Sequence, residues 1–191
     1  EALRDIKKMC NFVHFPFQAG SNRVLKKMHR IYTIEEYLEK VRMLREYVPH
    51  VALGTDVIVG FPTETREDFL ETRKILEQVE FDVAFIFAFS QRKGTPAMRW
   101  KETLTEEEKE ERLQELMALQ DGIYAKKRQA MLGTTVEVLV ECVNFKDENL
   151  LKGRTSCWKN VLFPGDPSLI GTLQDIKIHS YSHQTLLGEL A

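Results

Sequence analysis

Apolar and polar positions along the chain change their period twice. Asn11 to Phe17 is a nearly continuous apolar run, NFVHFPF, closed by Gln18-Ala19-Gly20-Ser21. Runs of this kind, apolar on both faces, suit strands buried in a parallel sheet. Asp56 to Val59 and Phe81 to Phe89 repeat the pattern. The first is stopped by Gly60-Phe61-Pro62 and the second by SQRKGTPA. Helical spacing fills the gaps between them. Ser21 or Asn22 can cap a short turn at 23–28, and Thr33 opens a longer helix through a Thr33-x-x-Glu36 capping box. Thr63 or Thr65 can cap a third helix that opens with Glu64, Glu67 and Asp68, whose charges suit a positive helix N-terminus. Phe69, Thr72, Ile75, Leu76 and Val79 share one face of it. This order of strand, glycine turn and capped helix predicts a βα repeat around parallel strands at about 12–17, 55–59 and 82–89.

Residues 101–131 read as one long helix capped by Thr103 or Thr105, acidic at its start and basic at Lys126, Lys127 and Arg128. It reads as a connecting or packing element, broken by Gly133. From Thr134 the pattern alternates, with Val136, Val138 and Val140 set against Thr135, Glu137, Leu139 and Glu141. Further short β-like runs at 149–155, 159–163, 170–179 and 184–190 predict a small antiparallel barrel, with a domain boundary near residue 132.

Composition narrows the picture only modestly. The chain has 191 residues, 43% of them hydrophobic, and a net charge of −2. That is enough for one or two globular domains, and no run is apolar enough to span a bilayer. The chain opens without Met, in what reads as the tail of an amphipathic helix, EALRDIKKM, so a fragment is expected. Cys10, Cys142 and Cys157 lie far apart, with neither disulfide nor metal-site spacing. A reduced, cytoplasmic setting follows.

If the three parallel strands are neighbours, the turns QAGS, GFPTE and SQRKGT meet at one rim. Gln18, Ser21, Asp56, Ser90 and Arg92 then surround a common site, with amides and hydroxyls for a ribose or amino-acid group and a guanidinium for a carboxylate or phosphate. Each of these residues can equally cap a helix or tie down a turn. His14 reads as a satisfied core residue, His29 and His50 as loop residues, and Trp100 and Trp158 as packing aromatics. In the barrel-like tail, Lys152-Gly153-Arg154-Thr155 and Lys159-Asn160 make either a nucleic-acid surface or a solvated basic loop. No P-loop, GxGxxG, nucleophile elbow or paired-histidine metal motif is present.

HFPFQAGS, MHRIYTIEEYLEKVRMLRE, TDVIVGFPTETREDF, FDVAFIFAFSQRKGTPA and LGTTVEVLVE, in that order, resemble the MiaB-type tRNA methylthiotransferases of the radical S-adenosylmethionine superfamily. The resemblance implies an α/β fold, the C-terminal part of a partial (βα) radical-SAM barrel over residues 1–131. An RNA-binding TRAM barrel over 132–191 follows it. The cofactors it implies are S-adenosylmethionine and two [4Fe–4S] clusters in the full-length protein. The CxxxCxxC triplet and the further cysteines that hold those clusters are absent here, so no cluster and no activity are expected of this chain alone.

The activity implied for the whole protein is methylthiolation at C2 of N6-isopentenyladenosine beside the anticodon, started by a 5′-deoxyadenosyl radical. By resemblance, Gln18, Ser21, Asp56, Gly60, Phe61, Ser90 and Arg92 lie at the S-adenosylmethionine site, with Ala19 in place of the usual serine. Lys152, Arg154, Lys159 and Asn160 face RNA. The implied partners are a tRNA anticodon stem-loop and an electron donor for cluster reduction, with no membrane, and the protein is expected to be a monomer. Two alternatives stay open, a ribosomal-protein methylthiotransferase and a non-catalytic RNA-binding protein.

Overall fold

The computed structural model describes residues 2–6 and 8–191. Two compact units divide the chain. One comprises Val13–Pro49 and Leu53–Ile123, and the other holds Tyr124–Ala191 with the remaining described residues. The expected N-terminal helix tail is a short helix, α1, Ala2–Asp5; Glu1 and Lys7 lie outside the described residues.

The strands β1 (Phe12–His14), β2 (Ala52–Val59) and β3 (Val83–Ala88), which lie in the first unit apart from their leading residues Phe12 and Ala52, form a sheet in the order β1-β2-β3. β2 and β3 run parallel, in register from Gly54 opposite Val83 to Val59 opposite Ala88. The first strand is shorter than its apolar run. Pro16 has no N–H to give a ladder, so regular pairing stops, although Phe15 N–H still donates to Gly54 O at 2.7 Å and Gln18 N–H to Asp56 O at 3.0 Å. Gln18 makes an isolated parallel bridge with Val57. The chain therefore stays beside β2 as far as the QAGS turn. β2 also begins earlier than its most apolar core, because Ala52, Leu53 and Gly54 are all buried.

Helices α2 (Asn22–Lys27), α3 (Ile34–Tyr47) and α4 (Arg66–Val79) follow the strands. Thr33 with Glu36 forms the expected capping box of α3, and Thr65, rather than Thr63, forms one with Asp68 at the start of α4. Ser21 occupies the N-cap position of α2, but its side chain makes no capping bond. Glu64 lies outside α4 and is buried, so it does not serve as a first-turn acid.

The core is formed by the helix-facing residues Val57 and Val59 with Phe17, Leu25, Tyr37, Phe69, Leu76 and Phe81. Tyr37 stacks on Phe15 at 4.5 Å and donates its hydroxyl to Phe15 O at 2.7 Å; burial drives its phenol well above the ordinary range. Gly20 is required by close approach. A Cβ there would lie 2.5 Å from backbone atoms of Glu71 and Thr72 on α4, where Gly20 N–H donates to Thr72 Oγ1 at 2.9 Å.

The long helix is α5, Glu106–Gln129, capped by Thr105, whose Oγ1 accepts from Glu108 N–H at 3.1 Å.

In the second unit β4 (Thr135–Val143), β5 (Leu150–Thr155), β6 (Asn160–Pro164), β7 (Leu173–Ser182) and β8 (Thr185–Leu190) close into a barrel of order β4-β5-β6-β8-β7. The expected all-antiparallel barrel needs one correction, because β6 and β8 pair in parallel. A closed ring with an odd number of strands cannot alternate direction all the way round, so at least one neighbouring pair must run the same way. The alternation along β4 is as expected, with Val138 and Val140 inside and Leu139 outside. Leu151, Val161, Phe163, Ile176, Ile178 and Leu186 complete a core with no more than 1% exposure at any member. Truncating one large member such as Phe163 to Ala costs about 3–5 kcal/mol.

Candidate cofactor rim and RNA surface

Because β2 and β3 are parallel and in register, their carboxyl ends coincide, and Gln18 sits beside Val57 at the same end. The three polar turns therefore lie at one edge of the sheet. Their side chains do not all share one site.

Phe61, Ser90 and Arg92 line a cavity of about 510 Å³ together with Ile58, Phe87 and Trp100. Phe61 is 6% exposed and meets Phe89 and Trp100 edge-on at 5.2 and 5.7 Å. Its aromatic edge is thus fixed by its neighbours. Ser90 and Arg92 stand on the exposed turn after β3.

Gln18 is buried with φ of 67°, and its backbone, not its amide, is what the sheet uses: Ile58 N–H donates to Gln18 O at 2.9 Å. Ser21 is directed to the helix side, where its hydroxyl donates to Asp68 Oδ1 at 2.6 Å. Asp68 also accepts from the Arg23 guanidinium. Burial alone would raise the Asp68 carboxyl, but the hydrogen bonds from Arg23, Ser21 and Thr65 outweigh it and hold the group well below the usual carboxylate range. Asp56 lies on the other face of the sheet with His14, whose Nε2 is 3.3 Å from Asp56 Oδ2. His14 is exposed and edge-on to Phe85, so it is not the satisfied core residue that its strand position suggested. Phe85 and Phe87 are about half exposed on that same face.

Gly60 adopts φ of +70°, and its N–H donates to Glu64 Oε1 at 3.0 Å. Glu64 in turn accepts from Arg112 of α5. Burial pushes the Glu64 carboxyl upward, partly offset by the Gly60 N–H and by Arg112.

Lys27, Met28, His29 and Arg30, which spacing and pattern do not single out as site residues, also line the cavity. Lys27 donates to Thr63 Oγ1 at 2.7 Å and sits 5.6 Å above the Trp100 ring. His29 turns the chain there with φ of 56°. Trp100, read as a packing aromatic, lines the cavity as well as packing.

Among the described residues no group of three or more His, Cys, Asp or Glu is placed to hold a metal ion. Cys10 and Cys142 are exposed and Cys157 is half-buried.

On the barrel, Lys152 and Arg154 alternate with the inward-facing Leu151, Gly153 and Thr155 and so stand on the outer face of β5. Arg154 is opposite Asn160 across the β5–β6 pair. The backbone N–H of Lys159 donates to Thr155 Oγ1 at 3.1 Å in the β5–β6 turn. Arg154 is already engaged, by Glu141 at 3.4 Å and by the ring of Trp158.

Known proteins bear on both units. Residues 1–76 match the radical SAM superfamily and residues 129–191 the TRAM domain. The chain is 68% identical over its whole length to tRNA-2-methylthio-N(6)-dimethylallyladenosine synthase of Protochlamydia amoebophila, and 48% identical to the synthase of that name from Aquifex aeolicus. It spans 42% of the length of each. Among solved structures it is similar to coproporphyrinogen III oxidase (HemN) from Escherichia coli, titled a radical SAM enzyme, with a TM-score of 0.50 and 15% identity over 76% of this chain and 41% of that one. That likeness concerns the fold alone. The chain thus joins a radical SAM segment to a TRAM domain and is similar, along its full length, to part of these tRNA-2-methylthio-N(6)-dimethylallyladenosine synthases.

Proposed function

We propose that this chain supplies the cofactor rim and the RNA-binding barrel of an enzyme that methylthiolates C2 of N6-isopentenyladenosine beside the tRNA anticodon, in the cytoplasm and as a monomer. The observation that carries this reading is the cavity bounded by Phe61, Ser90 and Arg92, found at the carboxyl end of parallel strands, where α/β proteins bind ligands.

The residues present fit S-adenosylmethionine. Ile58, Phe61, Phe87 and Trp100 offer apolar and aromatic surface for an adenine, and Arg92 offers a guanidinium for the amino-acid carboxylate. When bound beside a reduced cluster, the cofactor supplies radical hydrogen abstraction. This chain's own residues bind and orient. Phe61 excludes water from one wall, Arg92 neutralises the carboxylate, and Ser90 provides a hydroxyl for the ribose. The cluster thiolates are not among these residues, so the chain alone is expected to be inactive, and an electron donor serves the whole enzyme. On the barrel, Lys152, Arg154, Lys159 and Asn160 hold the phosphates of the anticodon stem-loop.

The test is made on the full-length protein with its clusters assembled. Mass spectrometry of nucleosides from tRNA carrying N6-isopentenyladenosine should show the methylthio product. Arg92→Ala should weaken S-adenosylmethionine binding by about tenfold, a typical loss for a charge-assisted contact, while leaving tRNA affinity unchanged. A methylthio group found on a ribosomal protein instead of tRNA would overturn the substrate assignment.

A further inference from the structure

Helix α5 reads in the sequence as a connector, yet its first half is the roof of the Gly60 turn. Lys109, 2% exposed, lays its methylenes across Gly60. A Cβ on Gly60 would lie 2.6 Å from Lys109 Cγ. The Lys109 ammonium is held by Glu102 at 2.6 Å and Glu106 at 2.7 Å. One turn further on, Arg112 enters the protein and meets Glu64; their side chains are 8% and 1% exposed. Arg112 also donates to Thr65 O at 3.2 Å and lies 5.5 Å from the Phe69 ring centre. The Glu64 carboxylate therefore has two tasks. It neutralises Arg112, and it accepts the Gly60 N–H.

A buried ion pair is poor evidence for a stabilising role, because desolvation offsets most of the attraction. Apolar side chains of similar volume would hold α5 against this turn about as well. What they cannot do is accept the Gly60 N–H, which at φ of +70° has no partner in the sheet ladder. Gly60 is followed directly by Phe61, the aromatic wall of the cavity, and Phe61 O accepts from Glu64 N–H at 2.8 Å. The Gly60–Glu64 loop is thus closed from both ends, by one backbone bond and one carboxylate.

We propose that Glu64 and Arg112 are positioning residues for the cofactor cavity. Arg112 holds the Glu64 carboxyl in place, and Glu64 fixes the Gly60 peptide so that Phe61 stands at the wall. This rests on the reading that the cavity takes S-adenosylmethionine.

Three variants of the full-length, cluster-loaded protein separate this role from packing. Glu64→Gln keeps an acceptor oxygen for Gly60 but leaves the Arg112 charge unpaired, so it should melt at a lower temperature while, once folded, binding S-adenosylmethionine within about twofold of the parent. The pair Glu64→Leu with Arg112→Met removes the acceptor while leaving no unpaired charge. It should keep its melting temperature within a few degrees and bind S-adenosylmethionine about tenfold more weakly, the loss expected for one buried hydrogen bond that orders the site. Hydrogen exchange of the Gly60 and Phe61 amides, measured without cofactor, should speed up in the pair and not in Glu64→Gln. Arg92→Ala should leave that exchange unchanged. Unaltered exchange and unaltered binding in the pair overturn the proposal. If exchange responds but S-adenosylmethionine binds nowhere near Phe61 and Arg92 in the parent protein, the clamp stands as a feature of the fold and the cofactor reading fails. Loss of folding in the pair, with Glu64→Gln intact, would show a packing role and overturn the positioning role.

Discussion

The Arg154 guanidinium lies 4.0 Å from the centre of the Trp158 ring, on which it stacks, and its Nε is 3.4 Å from a Glu141 carboxylate oxygen. That Nε is buried and makes no hydrogen bond of its own. The arrangement is a cation held over an aromatic that is 46% exposed, with the cation tethered loosely by one acid. A phosphate arriving at this face competes only with Glu141, and the Trp158 ring offers a base a stacking surface. With a net charge of −2 the chain has no general attraction for RNA, so on the proposed reading its share of the affinity comes from a local patch of this kind.

Arg154→Ala should therefore lower tRNA affinity of the full-length protein by about 1–3 kcal/mol at low salt and reduce the salt slope by about one. Glu141→Gln should act in the opposite sense, strengthening binding a few-fold by releasing the guanidinium. Fluorescence anisotropy across a salt series measures both. Unchanged binding in Arg154→Ala and in Lys159→Ala combined with it would place the RNA surface elsewhere.

The Gly60 turn yields a stability prediction. Gly60→Ala puts a side chain at φ of +70° and drives it against Lys109. The left-handed backbone alone costs of order 1 kcal/mol, and the displaced lysine adds to it. Denaturant unfolding should show a total loss of about 2 kcal/mol. Alanine at Gly94 takes the same backbone region with nothing within 4 Å, and should cost only the first of these. Equal losses at both positions would remove the role of α5 at the turn.

A third expectation concerns iron. The 191-residue chain, reconstituted anaerobically and desalted, should retain none in stoichiometric amount. Its three cysteines are dispersed and its acids and histidines form no ligand cluster among the described residues. Absorbance near ~400 nm, characteristic of thiolate-held clusters, together with equimolar sulfide would contradict this.

How much of this was legible beforehand depends on range in sequence. Local features were: the capping box at Thr33, the apolar strands and the alternation along β4. These depend on residues a few positions apart. Features that join distant residues were not. Ser21 looked like a helix cap or a cofactor contact, and its actual partner, Asp68, is 47 residues away. Glu64 looked like a first-turn acid, and its charge is matched by Arg112, 48 residues on. His14 carried the spacing of a core strand, yet it faces the open side of the sheet with Asp56. Lys27 and His29 reach the cavity only because a left-handed residue turns the chain there, which no periodicity reveals.

The last prediction turns on Asp68. Its carboxylate is 8% exposed and accepts from Ser21, from Arg23 and from the backbone N–H of Thr65 at 2.7 Å. Its folded pKa is depressed below the unfolded value of about 3.9. A group of that kind contributes stability that is fully present above the unfolded pKa and is lost as pH falls toward the folded one. Asp68→Asn cannot carry the charge, and its amide N–H₂ faces donors from Ser21 or Arg23. At pH 7 the variant should be less stable by about 2–3 kcal/mol, since hydrogen bonds to a charged group are removed. The difference should shrink as pH drops below about 4, because the unfolded parent then takes up a proton while the folded Asp68 carboxylate stays ionised, which removes part of the parent's advantage. Urea midpoints of parent and variant at pH 7 and pH 3 give the comparison. A gap of equal size at both values would mean that Asp68 acts through its shape and not through its ionisation.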